Sequence, residues 1–421
     1  MKKQYHYTIV AFVIGFLIYF VSAFSFAQSK KEVKEAEKQR DKYVFNVKLK
    51  NKNVSEKIYF KLYKGTVIIP ITISNKTYNF IFDTGAQTLL SDSLAKKLNA
   101  IQSKYSILCS DGAGISKSMD FYSVDDVHVG SLCFDNVGYG VANLDIFEKH
   151  LCMRIDGLLG TNILRLLNWE IDFSNQIITV SDKPFSATNY TMLIPFKESF
   201  SRTPEIKMGM GEYSFWATLD MGYNDLIEIP DSLFFKSRVS HYLKYAKGEG
   251  KSSETLFNDE APQNQYMSAI DSLYIGNNLL FNEVVNITPS PVILIGNAFL
   301  MQYGKVAINW KQQKIFLEKT AENKTTENNI FEFTPNLQDD KLIISFIWEN
   351  SDMYRKGIKI GDQIIGINEI STERINSSQW CEIKEKIDRL ENLTIEILKQ
   401  SGEKTTTFVK KTTHKALIES K

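Results

Sequence analysis

Two short stretches carry the chemistry this chain can do. Phe80-Ile81-Phe82-Asp83-Thr84-Gly85-Ala86 is an apolar run ending in an acid, a hydroxyl and a glycine, and Phe215-Trp216-Ala217-Thr218-Leu219-Asp220-Met221-Gly222 repeats the pattern. An acid delivered by a buried strand is costly unless it is hydrogen-bonded or used in a reaction. A pair of such acids suits general acid–base work, one giving a proton while the other takes one.

The repeat extends beyond the acids. Ser91-Asp92-Ser93-Leu94 follows the first motif and Pro230-Asp231-Ser232-Leu233 the second. Val124 to Gly130 with Phe134 to Val137 finds its counterpart in Ile270 to Gly276 with Phe281 to Val284. Each half closes on a second buried glycine, Leu158-Leu159-Gly160 and Leu294-Ile295-Gly296, at nearly the spacing that separates Asp83 from Asp220. Landmarks that keep both order and spacing mark a duplication.

An Asp-Thr-Gly after apolar residues, followed downstream by an apolar-apolar-Gly, resembles the signature of the aspartic protease superfamily. The compact halves are more similar to the retropepsin type than to long pepsin lobes. The resemblance covers roughly residues 60 to 318 and implies a mainly β protein with two duplicated β-barrel lobes meeting at a cleft, both in one chain. It also implies that Asp83 and Asp220 share one proton and activate a water on a peptide substrate, with no covalent intermediate or metal. Thr84 is then expected to bond across the lobe interface, and Gly85 and Gly222 to let backbone approach the carboxylates. Gly112-Ala113-Gly114 stands where relatives carry the flap, and Gly248 to Ser252 occupies the equivalent place in the second half.

The chain departs from that pattern at Met221, where relatives carry Thr or Ser. Ala86 and Tyr223 likewise lack the small hydroxyl that acid-acting relatives place there. Fewer donors to the charged form depress a carboxylate pKa less, which predicts a pH optimum nearer neutral.

The elements that position these residues are mostly strands. Val67 to Ile73 and Tyr78 to Phe82 flank Ser74-Asn75-Lys76-Thr77 as a hairpin whose second strand delivers Asp83. Taken along the 421 residues, the expected divisions are an apolar segment 1–27, a lead-in 28–58, lobes 59–185 and 186–319, a polar linker 320–329 and a last domain 330–412. Lys2 and Lys3 before the run Ile9 to Ala27, with small residues in Ser25-Phe26-Ala27, read as a signal peptide or an uncleaved N-terminal anchor. Either places the bulk of the chain outside the cytoplasm, in a bacterial periplasm or at a cell surface.

The last domain resembles the core of bacterial PDZ domains in the run Met353 to Asn368, where a short helix leads to Gly361-Asp362 and then to a strand ending in Ile367-Asn368. Ser378 to Leu390 would be the helix beside the groove, with Trp380, Ile383 and Ile387 on one face. That resemblance implies capture of a peptide or a partner's C-terminus by strand addition, alongside docking on the lobes as the other reading. Pro335 in the edge Phe331 to Leu337 removes a donor.

The net charge of +1 argues against a nucleic-acid protein. Cys109, Cys133, Cys152 and Cys381 show no metal spacing, so neither metal nor cofactor is expected; a disulfide among the first three or buried thiols are the two readings. Gly250-Lys251-Ser252 fails as a phosphate loop because Tyr245 stands where the first glycine belongs. With both lobes in one chain, a monomer suffices.

Overall fold

The computed structural model describes residues 34–35, 37–99, 102–112, 114–186, 188, 190–251, 256–257, 263–319 and 329–419. The apolar segment 1–27 and most of the linker 320–329 lie outside them. Among the described residues no helix is long and apolar enough to cross a membrane. The architecture is mainly β, with the strands in two large sheets of 11 and 21 members.

In the first lobe, β1 (Thr66–Ile73) and β2 (Lys76–Phe82) form the expected hairpin. Ser74 and Asn75 both take positive φ, 51° and 60°, the pair of left-handed residues that matches a two-residue turn to strand twist. The flap hairpin is β3 (Gln102–Ser110) and β4 (Ser116–Val124). Helix α1 (Asp145–Leu151) follows, then β5 (Gly157–Leu159), which runs parallel to β2 with Leu158 beside Ile81.

The second lobe repeats the plan. Its acid is delivered by β6 (Tyr213–Leu219), its flap-equivalent hairpin is β7 (Tyr245–Gly250) and β8 (Gln263–Ile270), and β9 (Leu294–Ile295) lies parallel to β6. The lobes share a sheet, because the strand Asn168–Asp172 pairs with Lys305–Asn309. One apolar core therefore runs through both, from Phe82 and Trp169 to Met221 and Ile308. Burial of such side chains, about 1.5 to 3 kcal/mol each, is what holds the two acid-bearing loops at a common depth.

The C-terminal domain has its own core, including Ile344, Ile364, Trp380 and Ile395. Strands β10 (Phe333–Gln338) and β11 (Lys341–Trp348) lead to α2 (Ser377–Asp388), whose buried residues are Trp380, Ile383 and Ile387. Asn376 and Gln379 form a capping box at its start, which fixes the first turn. A bulge falls between Thr334 and Pro335 in β10, the irregularity a residue without an N–H imposes on a ladder. A last helix, α3 (His414–Glu419), turns back onto the second lobe.

Two expectations are corrected here. The disulfide joins Cys152, just after α1, to Cys381 in α2, with Cα atoms 5.5 Å apart, while Cys109 and Cys133 are free thiols. The second glycine-rich stretch is no free flap tip: β7 pairs with β11, Gly248 opposite Trp348 and Gly250 opposite Phe346. A Cβ at Gly248 would lie 2.3 Å from the Phe346 ring, and one at Gly250 2.2 Å from the Ser345 carbonyl oxygen. These glycines serve close strand approach instead of hinge freedom. Leu417 and Ile418 of α3 pack with Ala246, Met267, Phe346 and Trp348 over the same junction, and Lys64 of the first lobe pairs with Asp388 at 2.9 Å.

Candidate active site

Each acid sits one residue beyond its strand, tied to the neighbouring parallel strand by its own amide. Asp83 N donates to Leu159 O at 3.1 Å, and Asp220 N to Ile295 O at 3.0 Å. The closing glycines Gly160 and Gly296 let the following loop pass close: a Cβ at Gly160 would lie 2.1 Å from the carbonyl carbon of Gln87, and one at Gly296 2.3 Å from Asp225 O. Thr161 N then donates to Ala86 O and Asn297 N to Tyr223 O, both at 2.8 Å. The same local geometry is thus built twice.

The two loops face each other. A Cβ at Gly85 would lie 2.4 Å from Asp220 Cγ, and one at Gly222 2.7 Å from Asp83 Cγ, so each glycine makes room for the opposite carboxyl. Gly85 N donates to Asp83 Oδ1 at 2.7 Å, while Gly222 N and Tyr223 N donate to Asp220 Oδ1 at 2.8 and 3.1 Å. Asp83 is 7% exposed. Burial pushes its pKa well above the usual carboxylate range, and the Asp220 charge beside it adds to the rise. Burial also raises Asp220, offset by the Gly222 and Tyr223 amides and by a hydrogen bond from Asp83. Two carboxyls this close, both raised by burial, share one proton and titrate as a pair.

Thr84 is fully buried, and its hydroxyl crosses the lobe interface as expected. Oγ1 donates to Leu219 O at 2.6 Å and accepts from Met221 N at 3.0 Å. Met221, fully buried in the core, has no hydroxyl to return the contact. Bracing through side-chain hydroxyls is therefore one-sided.

The flap tip closes on the second lobe. Gly112 O accepts from Ser290 Oγ at 2.8 Å, and Gly114, at φ 79°, packs so closely on Pro291 that a Cβ would lie 2.6 Å from its Cγ. Asp111 accepts from Ile115 N and from Phe257 N, both at 3.0 Å. Ala113 lies outside the described residues.

Sequence reasoning missed two asparagines beneath the loops. Asn162 accepts from Thr88 N and Oγ1 and donates to Gly138 O; Asn297 donates to Met221 O at 2.7 Å and to Gly65 O at 3.0 Å. Their position, just after the second glycine of each half, was the available signal. Tyr223 was noted only for lacking a small hydroxyl, yet its phenol donates to Glu228 and accepts from Asn286. Among the described residues, one group of three metal-type donors occurs, Asp126, His128 and Cys133, on a surface hairpin, where hydrogen bonds to Asp126 from His128 (3.0 Å) and Cys133 (3.5 Å) account for the grouping.

Residues 69–163 match the family model described as "Aspartyl protease". The architecture around that stretch is mainly β. The matched stretch holds Asp83, Thr84, Gly85, the flap and Gly160. Among solved structures, the aspartic proteinase from Irpex lacteus aligns at 13% identity over 65% of this chain and all of its own, with a TM-score of 0.37. Basic 7S globulin from soybean aligns at 8% over 64% of this chain and 96% of its own, TM-score 0.37. A retropepsin-like aspartic protease from Rickettsia conorii aligns at 17% over 33% of this chain and 95% of its own, TM-score 0.22. No curated protein matches the chain.

Proposed function

We propose that the chain is an aspartic endopeptidase that hydrolyses peptide bonds by a water activated between Asp220 and Asp83. The observation that carries the reading is the mutual placement of the two loops, each glycine opening onto the other's carboxyl. The ionised carboxylate of the pair takes a proton from the water as its oxygen attacks the scissile carbonyl carbon, while the protonated partner gives its proton to the carbonyl oxygen. In the second step the tetrahedral diol returns a proton to a carboxylate, the amide nitrogen is protonated by the other carboxyl, and the C–N bond breaks. The hairpin tip at Gly112, tied to Ser290 of the second lobe, is read as the flap that covers the bound peptide.

The C-terminal domain is read as PDZ-like, selecting substrate or partner, and residues 1–27 as the segment that exports the chain or anchors it. The alternative, a peptide-binding protein that no longer cuts, is favoured only by Met221.

The test is hydrolysis of a mixed peptide library from about pH 4 to pH 8 by the parent, Asp83→Asn and Asp220→Asn proteins. Cleavage by the parent alone is the expected result. Cleavage by either variant removes its acid from the mechanism, and an inert parent leaves the binding protein.

A further inference from the structure

An opening of about 1340 Å³ lies between the second lobe and the C-terminal domain. It is lined by Gly222 and Tyr223 of the dyad loop, by Gly112 of the flap, and by Phe331, Thr334 and Trp348 of the C-terminal domain. Small-ligand pockets run to about 1000 Å³; this one is larger and reaches the dyad loop at Gly222, the glycine that borders the Asp83 carboxyl.

We propose that this chamber is a substrate subsite, and that the C-terminal domain binds the stretch of peptide extending from the dyad by forming its far wall. This rests on the endopeptidase reading for what the dyad does, but not for what the chamber holds. The lining mixes signs, with Lys64, Lys411 and Lys415 against Asp225, Glu228 and Glu283, so it demands no net charge of its occupant. Tyr266, Phe331 and Trp348 present ring surface, while the Tyr223, Glu228, Asn286 and Thr288 side chains form a hydrogen-bonded polar face at 3.1 to 3.3 Å. An extended peptide with apolar or aromatic side chains meets both: its rings find the aromatic wall and its amides the polar face.

The wall is fixed in place. Strand pairing at Gly248 and Gly250, the apolar junction under α3 and the Cys152–Cys381 bond hold the domain to both lobes. A wall held on two sides is preorganised and loses little on binding.

Hydrogen exchange on the full chain carrying both Asp83→Asn and Asp220→Asn tests this, with mixed peptide pools of about twelve and about four residues, some 40 Å and 13 Å when extended. The long pool is expected to slow exchange at the dyad loops and also at 331–334 and 413–415; the short pool, at the dyad loops alone. Thr334→Trp, which narrows the chamber, should weaken binding of the long pool at least about tenfold, while the protection pattern of the unfilled chamber is read independently of that variant. Protection confined to the dyad loops with the long pool overturns the proposal. Protection nowhere overturns it together with the endopeptidase reading. Protection at 331–334 in a protein whose parent never cuts sustains the chamber and removes the cutting.

Discussion

Replacing Thr84 by Val removes one oxygen and leaves shape nearly unchanged, which isolates the cross-lobe bridge. That oxygen serves two buried backbone groups, Leu219 O at 2.6 Å and Met221 N at 3.0 Å. A buried group left without its partner costs about 1 to 3 kcal/mol, so the pair costs about 2 to 6 kcal/mol. No hydroxyl at position 221 shares the load. The loops carrying Asp83 and Asp220 lose their tie at the point where they must stay in register, and each 1.4 kcal/mol of lost transition-state stabilisation is about tenfold in rate. Urea unfolding and steady-state hydrolysis of one library-derived peptide measure the two effects. Thr84→Val should lose at least about 2 kcal/mol and at least about tenfold in kcat with a smaller change in KM; Thr84→Ser, which retains the oxygen, should stay near the parent. A Val variant within about 0.5 kcal/mol of the parent and equally active would refute the reasoning, leaving the shared strand pair Asn168–Asp172 and Lys305–Asn309 to hold the lobes alone.

The dyad also gives a stability signature. Because burial raises the pKa of Asp83 in the folded state, both states are protonated below about pH 4, and as pH rises the unfolded chain ionises first; the parent thus loses stability towards neutrality, and Asp83→Asn should gain on it progressively over that range in thermal melts. A pH-independent difference would contradict the buried, proton-sharing pair. The Cys152–Cys381 bond closes a span of 229 residues, for which chain entropy allows about 5 kcal/mol; Cys381→Ser should lower the melting temperature and speed exchange in α2, and unfolded, unreduced parent should show two reactive thiols, four being the result that removes the bond.

What the sequence made legible was local or repeated. The Ser74-Asn75 turn is set by its own residues, α2 by its capping pair and a 3.6-residue apolar stripe, and the acid loops by the fact that the pattern occurs twice. Cys381 was not legible, because its partner depends on where a separate domain docks, and no spacing encodes that. Nor was the role of Gly248 and Gly250. A glycine pair reads the same whether it frees a hinge or admits a neighbouring strand, and only the Phe346 ring and Ser345 carbonyl distinguish the two. The helix His414–Glu419 carries too few residues for periodicity to speak. Its Leu417 and Ile418 gain meaning only from the junction they cover.

The two halves agree where the acids stand and diverge where the C-terminal domain attaches, and the physics of strand edges explains the division. In the first lobe the hairpin β3 and β4 ends in a tip that touches Ser290 and Pro291 across the cleft. In the second, β7 would present the N–H and C=O groups of an uncovered edge, and such an edge invites pairing with any passing chain. On the endopeptidase reading, that edge would compete directly with the cleft for extended peptides. Pairing with β11 occupies it, and the domain that does so also walls the chamber beside the dyad. Removing the domain would therefore do more than delete a binding module: it would bare the edge of β7 and open one side of the cleft at once. Cutting the tie at one end alone, by Cys381→Ser, is expected to spare the edge and loosen only the wall.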